Sequence, residues 1–422
     1  MHDLNTEPKW KGWEKIGFRF LFLFLGFYLL NYEVVFIFLA LNQFDKLSTV
    51  YTFFEKPVLW IDKQLLHIGY NPTIHQNLPG DNHYGVAFYF TAFILFLFIT
   101  ATWSILDKRK PNYSKLYFWF RVYIRYMVAL VMLEYGIDKL IPIQMTYPDV
   151  TELLKPLGKQ DHFGILWDFV GASPGYEIFT GLCEVTGSLL LIFRRTYVFG
   201  ALFMCTVLCN VVALNVFYNI SVKLYSALLL TCVLFLLIPF ANKLYQFFFN
   251  NRNVSLTEKQ FGFETAWKRH ILTALAITVV VGTIAVNFFH DYNIYRERIT
   301  ERKRQKLYDV AWFIAKDTLA PLLTDTLRWK KFALVYKNSA VVYNMKDSAV
   351  FYDYDLDSVK HLFTLHDNPD STKWDKLYFA YPTGKRLALT GKWKGIEVQM
   401  MMDEIPIDSM PFNKEKLIFI QE

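Results

Sequence analysis

Residues 268–306, KRHILTALAITVVVGTIAVNFFHDYNIYRERITERKRQK, contain the junction that decides the fold. Up to Phe289 the stretch is almost wholly apolar, and a helix needs about 20 such residues to cross a bilayer. Beyond Phe289 it turns polar and then strongly basic. The rest of the chain divides at the same point. From Gly17 to Phe289 long apolar runs alternate with short charged joints, and after Phe289 the composition is that of a water-soluble domain. The expectation is an α-helical transmembrane bundle of about seven helices followed by a mainly-β soluble domain.

Toward the N-terminus the candidate spans are 16–41, 84–106, 117–143, 175–194, 196–217, 222–241 and 268–289. The first follows Lys9, Lys11 and Lys15 and superficially resembles a signal peptide. It is too long for an h-region and no small-x-small site closes it, so it reads as an uncleaved helix. The segment Phe44–Ile68 mixes aromatics with Asp45, Lys46, Glu55, Lys56, Asp62 and Lys63, a pattern suited to lying flat at the interface. The domain organisation is therefore 1–116 (hairpin with interfacial segment), 117–243 (four-helix core), 244–294 (joint and last helix) and 295–422 (β-rich domain).

Composition sets the class. The chain has 422 residues, 54% hydrophobic and 18% aromatic, with a net charge of +7. Much of the Lys and Arg flanks apolar runs, which is how topology is set. That distribution argues against a nucleic-acid partner and for the lipid bilayer. Cationic joints at Lys9–Arg19, 107–115, Arg194–Arg195 and 243–269 would all be cytoplasmic if the N-terminus is inside. Seven crossings then put the C-terminal domain on the periplasmic side of a bacterial inner membrane. The basic segment 296–306 disagrees with this assignment, although long domains translocate largely regardless of charge.

In the soluble part, period-two runs occur at 307–315, 329–336, 339–345, 348–354, 359–366, 375–381, 385–391, 396–400 and 415–421. Turn residues separate several of them, and Lys392-Trp-Lys-Gly395 is a hairpin signal. The expectation is an antiparallel meander, either a sandwich or a small up-and-down barrel. The four cysteines, Cys183, Cys205, Cys209 and Cys232, all fall in apolar runs and read as packing residues. His67, His75, His83 and His162 lie in outer loops without a helical ligand spacing, and His361 and His366 alternate along a strand. No metal site is expected.

Ionisable groups within a bilayer are costly, so each is a functional candidate. They are Glu33, Arg121, Arg125, Glu134, Lys139, Glu184 and Lys223, with Asn31, Asn210 and Asn215 as uncharged companions. At ~1.5 Å of rise per residue, Glu33, Glu134, Glu184 and Asn210 lie roughly 12–15 Å below the outer surface. Lys139, Asn215 and Lys223 lie closer to it. Arg121 and Arg125, toward the cytoplasmic half, can snorkel to the interface. One account of this layer is structural ion pairing. The other is an outward-facing polar pocket in which Glu184 and Glu134 exchange protons and Lys139 or Lys223 stabilises an anionic oxygen, with Glu33, Arg125, Asn210, Asn215 and Tyr218 contributing to ligand binding.

The stretches RYMVALVMLEYGIDKL (with Arg125, Gly136 and Lys139), FTGLCEVTGSLLLIFRR (with Glu184 and Gly187) and NVVALNVFYNISVKLYSALLL carry a resemblance. Residues 117–241 resemble the four-helix core of the DoxX family of bacterial membrane proteins. The resemblance implies an inner-membrane protein, with quinone-linked redox chemistry suggested for some members. The other helices and the C-terminal domain lie outside that pattern. Tyr218, Asn219, Val222 and Lys223 also resemble, weakly, the membrane module of vitamin K-dependent carboxylases. Two functions follow as expectations: a quinone-linked redox component, or a non-enzymatic lipid-handling or envelope-assembly protein with the β-domain as a binding module for an envelope partner.

Overall fold

A bilayer offers no water to backbone N–H and C=O groups, so the apolar runs satisfy them internally as helices. In the computed structural model, which describes residues 9–40, 44–72, 80–256, 266–316, 322, 324–367, 374–410 and 412, eleven α-helices precede the strands. They are α1 (Gly12–Ala40), α2 (Phe44–Ile61), α3 (His83–Leu106), α4 (Ser114–Leu140), α5 (Val150–Leu154), α6 (His162–Gly171), α7 (Pro174–Ile192), α8 (Tyr197–Phe217), α9 (Lys223–Leu237), α10 (Ala241–Asn250) and α11 (Ala266–Arg304). Among the described residues six helical stretches are long and apolar enough to cross a membrane: α3, α4, α7, α8, Lys223–Asn250 and Ala274–Arg304. The 29-residue α1 precedes them and is not among these six. Pro239 breaks the stretch Lys223–Asn250 into α9, a short 3-10 turn and α10, since proline cannot donate to the helix ladder.

The chain divides into two compact units: residues up to Ile137 with Thr180–Asn287, and Asp138–Phe179 with Phe288–Glu422. The first holds most of the bundle. Its core includes Leu25, Ile124, Val128, Leu191, Met204, Leu208, Cys232 and Val233. α4 and α7 approach closely because Gly136 has no side chain: a Cβ there would stand 2.7 Å from Val185 Cγ2 and 3.1 Å from the Gly181 carbonyl oxygen. Small residues at helix contacts are a common packing device in membranes. Gly187 does the same against Met204 of α8.

The N-terminal cationic joint packs against the one that follows α3. The Trp10 N–H donates to the Pro111 carbonyl (3.0 Å), and Lys15 Nζ to that of Lys110 (3.2 Å). Arg19 is buried and donates to Tyr113 Oη, Ser104 Oγ and the Asp107 carbonyl. Arg121 is likewise buried, 4% exposed, between Tyr197 Oη and the Leu236 carbonyl. The expected snorkelling of Arg121 is therefore not observed. Its guanidinium is better served by those two acceptors and the rings of Tyr117 and Phe240.

The second unit is built on eight antiparallel strands, β1 (Lys306–Ala315), β2 (Trp329–Tyr336), β3 (Ser339–Asn344), β4 (Ala349–Asp357), β5 (Leu362–Asp367), β6 (Trp374–Ala380), β7 (Arg386–Trp393) and β8 (Ile396–Ile405). They close in sequence order into a barrel, β8 pairing back on β1. Of the two expected forms, the up-and-down barrel is the one observed; the run 415–421 lies outside the described residues. Inward positions are filled by Tyr308, Trp329, Phe332, Phe363, Leu389 and Met400 among others. The barrel thus has a packed core. Lys394 and Gly395, at φ 49° and 82°, form the two-residue turn between β7 and β8, the backbone that right-twisted hairpins favour. His361 sits in the turn before β5 with φ 52° rather than on the strand.

Two features of this unit were not expected. α11 continues as helix to Arg304, past the polar boundary, its end 296–304 being rich in Arg, Glu and Lys, which have good helix propensity, and closed by a Glu301–Arg304 pair (2.6 Å). And the loop after α4 joins the barrel. Val150 and Leu154 of α5 pack with Leu307, Ala333, Val335, Val341 and Tyr343 on the outer face of β1–β3, and Tyr336 Oη donates to Asp149 (2.6 Å). Segment 144–172 and the barrel therefore lie on the same side of any membrane, which agrees with the four candidate spans, an even number, between them.

The segment that follows α4 has a pH-dependent stability of its own. Burial pushes the Asp168 carboxyl up to about 6, aided by the Glu152 carboxylate, with Lys155 pulling it back. A raised carboxyl value means the folded state holds the proton more tightly. The resulting stability is fully present below the ordinary Asp value near 3.9 and is lost as pH rises through about 6. After allowance for solvent screening the effect is on the order of 1 kcal/mol. Amide exchange in residues 150–171 of the full-length protein, corrected for intrinsic rates, should be less protected at pH 8 than at pH 5. Asp168→Asn should remove the difference, and an unchanged difference would count against this account.

Candidate functional site

Within the bundle unit a groove of about 320 Å³ lies between three helices. α4 contributes Met127, Leu130, Val131 and Glu134, whose spacing puts them on one helix face. α11 contributes Gly282, Thr283, Val286 and Asn287 by the same spacing, and α1 contributes Tyr32. The walls are mainly apolar. Four polar groups interrupt them: the Glu134 carboxyl, the hydroxyls of Tyr32 and Thr283, and the Asn287 amide.

The groove's depth at α11 comes from Gly282, where an added Cβ would meet nothing within 4 Å. Tyr32 is held from behind, its ring stacked on Tyr225 at 4.3 Å and 17°. The side chains of Tyr32, Tyr135, Tyr225 and Glu134 are near enough to interact electrostatically. Further tyrosines brace the neighbouring helices. Tyr51 Oη donates to Asn31 Oδ1 (2.5 Å), Asn31 Nδ2 donates to Tyr89 Oη (3.1 Å), and Tyr89 stacks on Tyr28 at 4.3 Å. Asp81 accepts from the backbone N–H groups of Lys223 and Leu224 and so caps α9 from outside the helix.

Of the residues singled out from sequence, Glu134 lines the groove. Glu184 is buried in α7, where its carbonyl accepts from Ser188 Oγ. Lys223 Nζ donates to Asn219 Oδ1 (2.9 Å) at the turn before α9. Asn215 is buried and donates to Ser226 Oγ (2.9 Å), and Tyr218 ends α8. Asn210 is exposed on α8. Arg125 lies over the rings of Tyr126 and Tyr197 at 5.0 and 5.3 Å. None of these six is among the groove-lining residues. The Glu33 side chain and His75 lie outside the described residues. Lys139 belongs to the second unit, where it is buried near Asp138 and Glu177. Asp138 interacts there with Asp291, while Glu177 accepts from the Met145 N–H (2.9 Å) and interacts with Arg298.

No protein-family model matches the chain, and no solved structure matches it. A curated relative is the uncharacterized protein YwoB of Bacillus subtilis (strain 168), 33% identical over 114 residues, which are 27% of this chain and 71% of YwoB. The chain belongs to the YwoB family. That kinship brings no activity with it.

The groove residues that sequence reasoning passed over are Tyr32, Thr283 and Asn287. Each is a neutral polar residue inside an apolar run, and a search for charges does not see them. A signal existed in α11: Thr283 and Asn287 are four residues apart and so share a face.

Proposed function

We propose that the protein is a DoxX-like, multi-pass inner-membrane protein, N-terminus cytoplasmic and barrel periplasmic, that binds the ring of a quinone in the groove between α1, α4 and α11. The single observation carrying this reading is the groove's make-up: apolar walls, one carboxyl, an amide and two hydroxyls, with no cation among the lining residues. At about 320 Å³ it is at the small end of ligand pockets, sized for a ring rather than a whole lipid. The tail would remain in the bilayer. A phospholipid head group, with its phosphate, would call for a cationic lining, which weighs against the lipid-handling alternative.

In this reading Asn287, Thr283 and Tyr32 donate hydrogen bonds to ring oxygens. Glu134 passes protons to the ring as it is reduced. Reduction of a quinone to a quinol takes two electrons and two protons, and the electrons come from a redox partner protein. Protein-film voltammetry with a short-tailed ubiquinone provides the test. Glu134→Gln should slow proton-coupled reduction by about 10²-fold or more while changing the quinone Kd less than about threefold. Equal rates in the two proteins would overturn the role given to Glu134.

A further inference from the structure

The basic run at 296–306 is unexplained by topology and is not used by the groove. Most of its cations have partners within the second unit. Arg298 donates to the Ile143 carbonyl. Arg302 lies 3.4 Å over the Tyr147 ring and 3.8 Å from Asp408. Arg304 pairs with Glu301 and Lys306 with Glu404, both at 2.6 Å. The basic run thus fastens loop 143–147 and the barrel to the end of α11. Arg296 and Lys303 are different: both are exposed, and neither side chain has an ion-pair or hydrogen-bond partner among the described residues.

The turn preceding Arg296 carries exposed aromatics. Phe288, Phe289 and Tyr292 are 48%, 67% and 46% exposed, and the Phe288 and Tyr292 rings lie parallel at 6.3 Å. With ~100° per residue, Phe288, Tyr292, Arg296 and Lys303 fall on one stripe of α11. Aromatic rings at the end of an apolar helix mark the membrane–water interface. The headgroup layer beyond the hydrocarbon is about 5–8 Å thick on each side. At ~1.5 Å per residue Arg296 lies about 10 Å past Phe289, and its long side chain reaches back into that layer. Lys303 lies about 21 Å past Phe289, beyond reach of it.

We propose that Arg296, with the collar of Phe288, Phe289 and Tyr292, is a contact site for the phosphate of an anionic membrane lipid. It seats α11 in the leaflet on the barrel's side. Charge complementarity selects the occupant: a guanidinium beside exposed rings matches a lipid phosphodiester flanked by acyl chains. The inference is independent of what the groove holds.

Native mass spectrometry of the full-length protein titrated with phosphatidylglycerol or phosphatidylcholine tests it. The wild type should bind phosphatidylglycerol about fivefold more tightly, the scale of one juxtamembrane cation. Added salt should shrink that preference. Arg296→Gln should abolish it, Arg296→Lys should keep most of it, and Lys303→Gln should leave it unchanged. Full preference in Arg296→Gln, or equal loss in Lys303→Gln, would overturn the proposal. So would a wild type that binds both lipids equally.

Discussion

Replacing Gly282 by phenylalanine is expected to weaken binding of a short-tailed quinone by tenfold or more while leaving the bundle folded. The site has room, since an added Cβ would meet nothing within 4 Å. A glycine in a helix interior is also about 1 kcal/mol less favourable than alanine, so most replacements there cost the helix nothing. The benzyl group would instead occupy the groove beside Thr283 and Val286. Tenfold corresponds to about 1.4 kcal/mol, a modest demand for a side chain that occupies the ring's place. Fluorescence titration of the detergent-solubilised full-length protein reads the change, with thermal unfolding as the check on folding. Undiminished affinity in Gly282→Phe would place the ligand elsewhere.

Gly136→Leu should do the reverse, damaging the fold and every property that depends on it. Its first added atom would already lie 2.7 Å from Val185 Cγ2 and 3.0 Å from the Val185 backbone nitrogen. The obstacle is partly backbone, so it cannot rotate aside, and α4 and α7 must separate. Overpacking of this kind typically costs about 1–3 kcal/mol, and the further leucine carbons push toward the upper end. Thermal unfolding in detergent should show a clear loss of stability. Gly17→Leu is the matched control, because a Cβ there also meets nothing within 4 Å. Equal stability of the two variants would remove the close α4–α7 contact from the account.

How much of this was legible in the sequence depends on the length scale of the signal. Apolar runs and period-two alternation are local, and they place most of the long helices and most of β1–β8 to within a few residues, while α5, α6 and α10 are too short to show as apolar runs. Barrel closure is a long-range pairing of β8 with β1, and alternation alone does not separate it from a sandwich. The extension of α11 to Arg304 was hidden because composition marks polarity rather than helix ends. At the site, Glu134 was visible as a charge in an apolar run. Its groove partners were not, because they are neutral and come from α1 and α11, far away in sequence. Arg121 shows the opposite error: a cation near a span end reads as snorkelling, yet Tyr197 and the Leu236 carbonyl give it a buried place.

The central claim is that the groove between α1, α4 and α11 holds a quinone ring. The most direct measurement is mass spectrometry of small molecules co-purified with the full-length wild type and with Gly282→Phe. The account predicts a quinone in near-stoichiometric amount with the wild type and strongly depleted in the variant. Phospholipid alone in both preparations, or equal quinone in both, would contradict it.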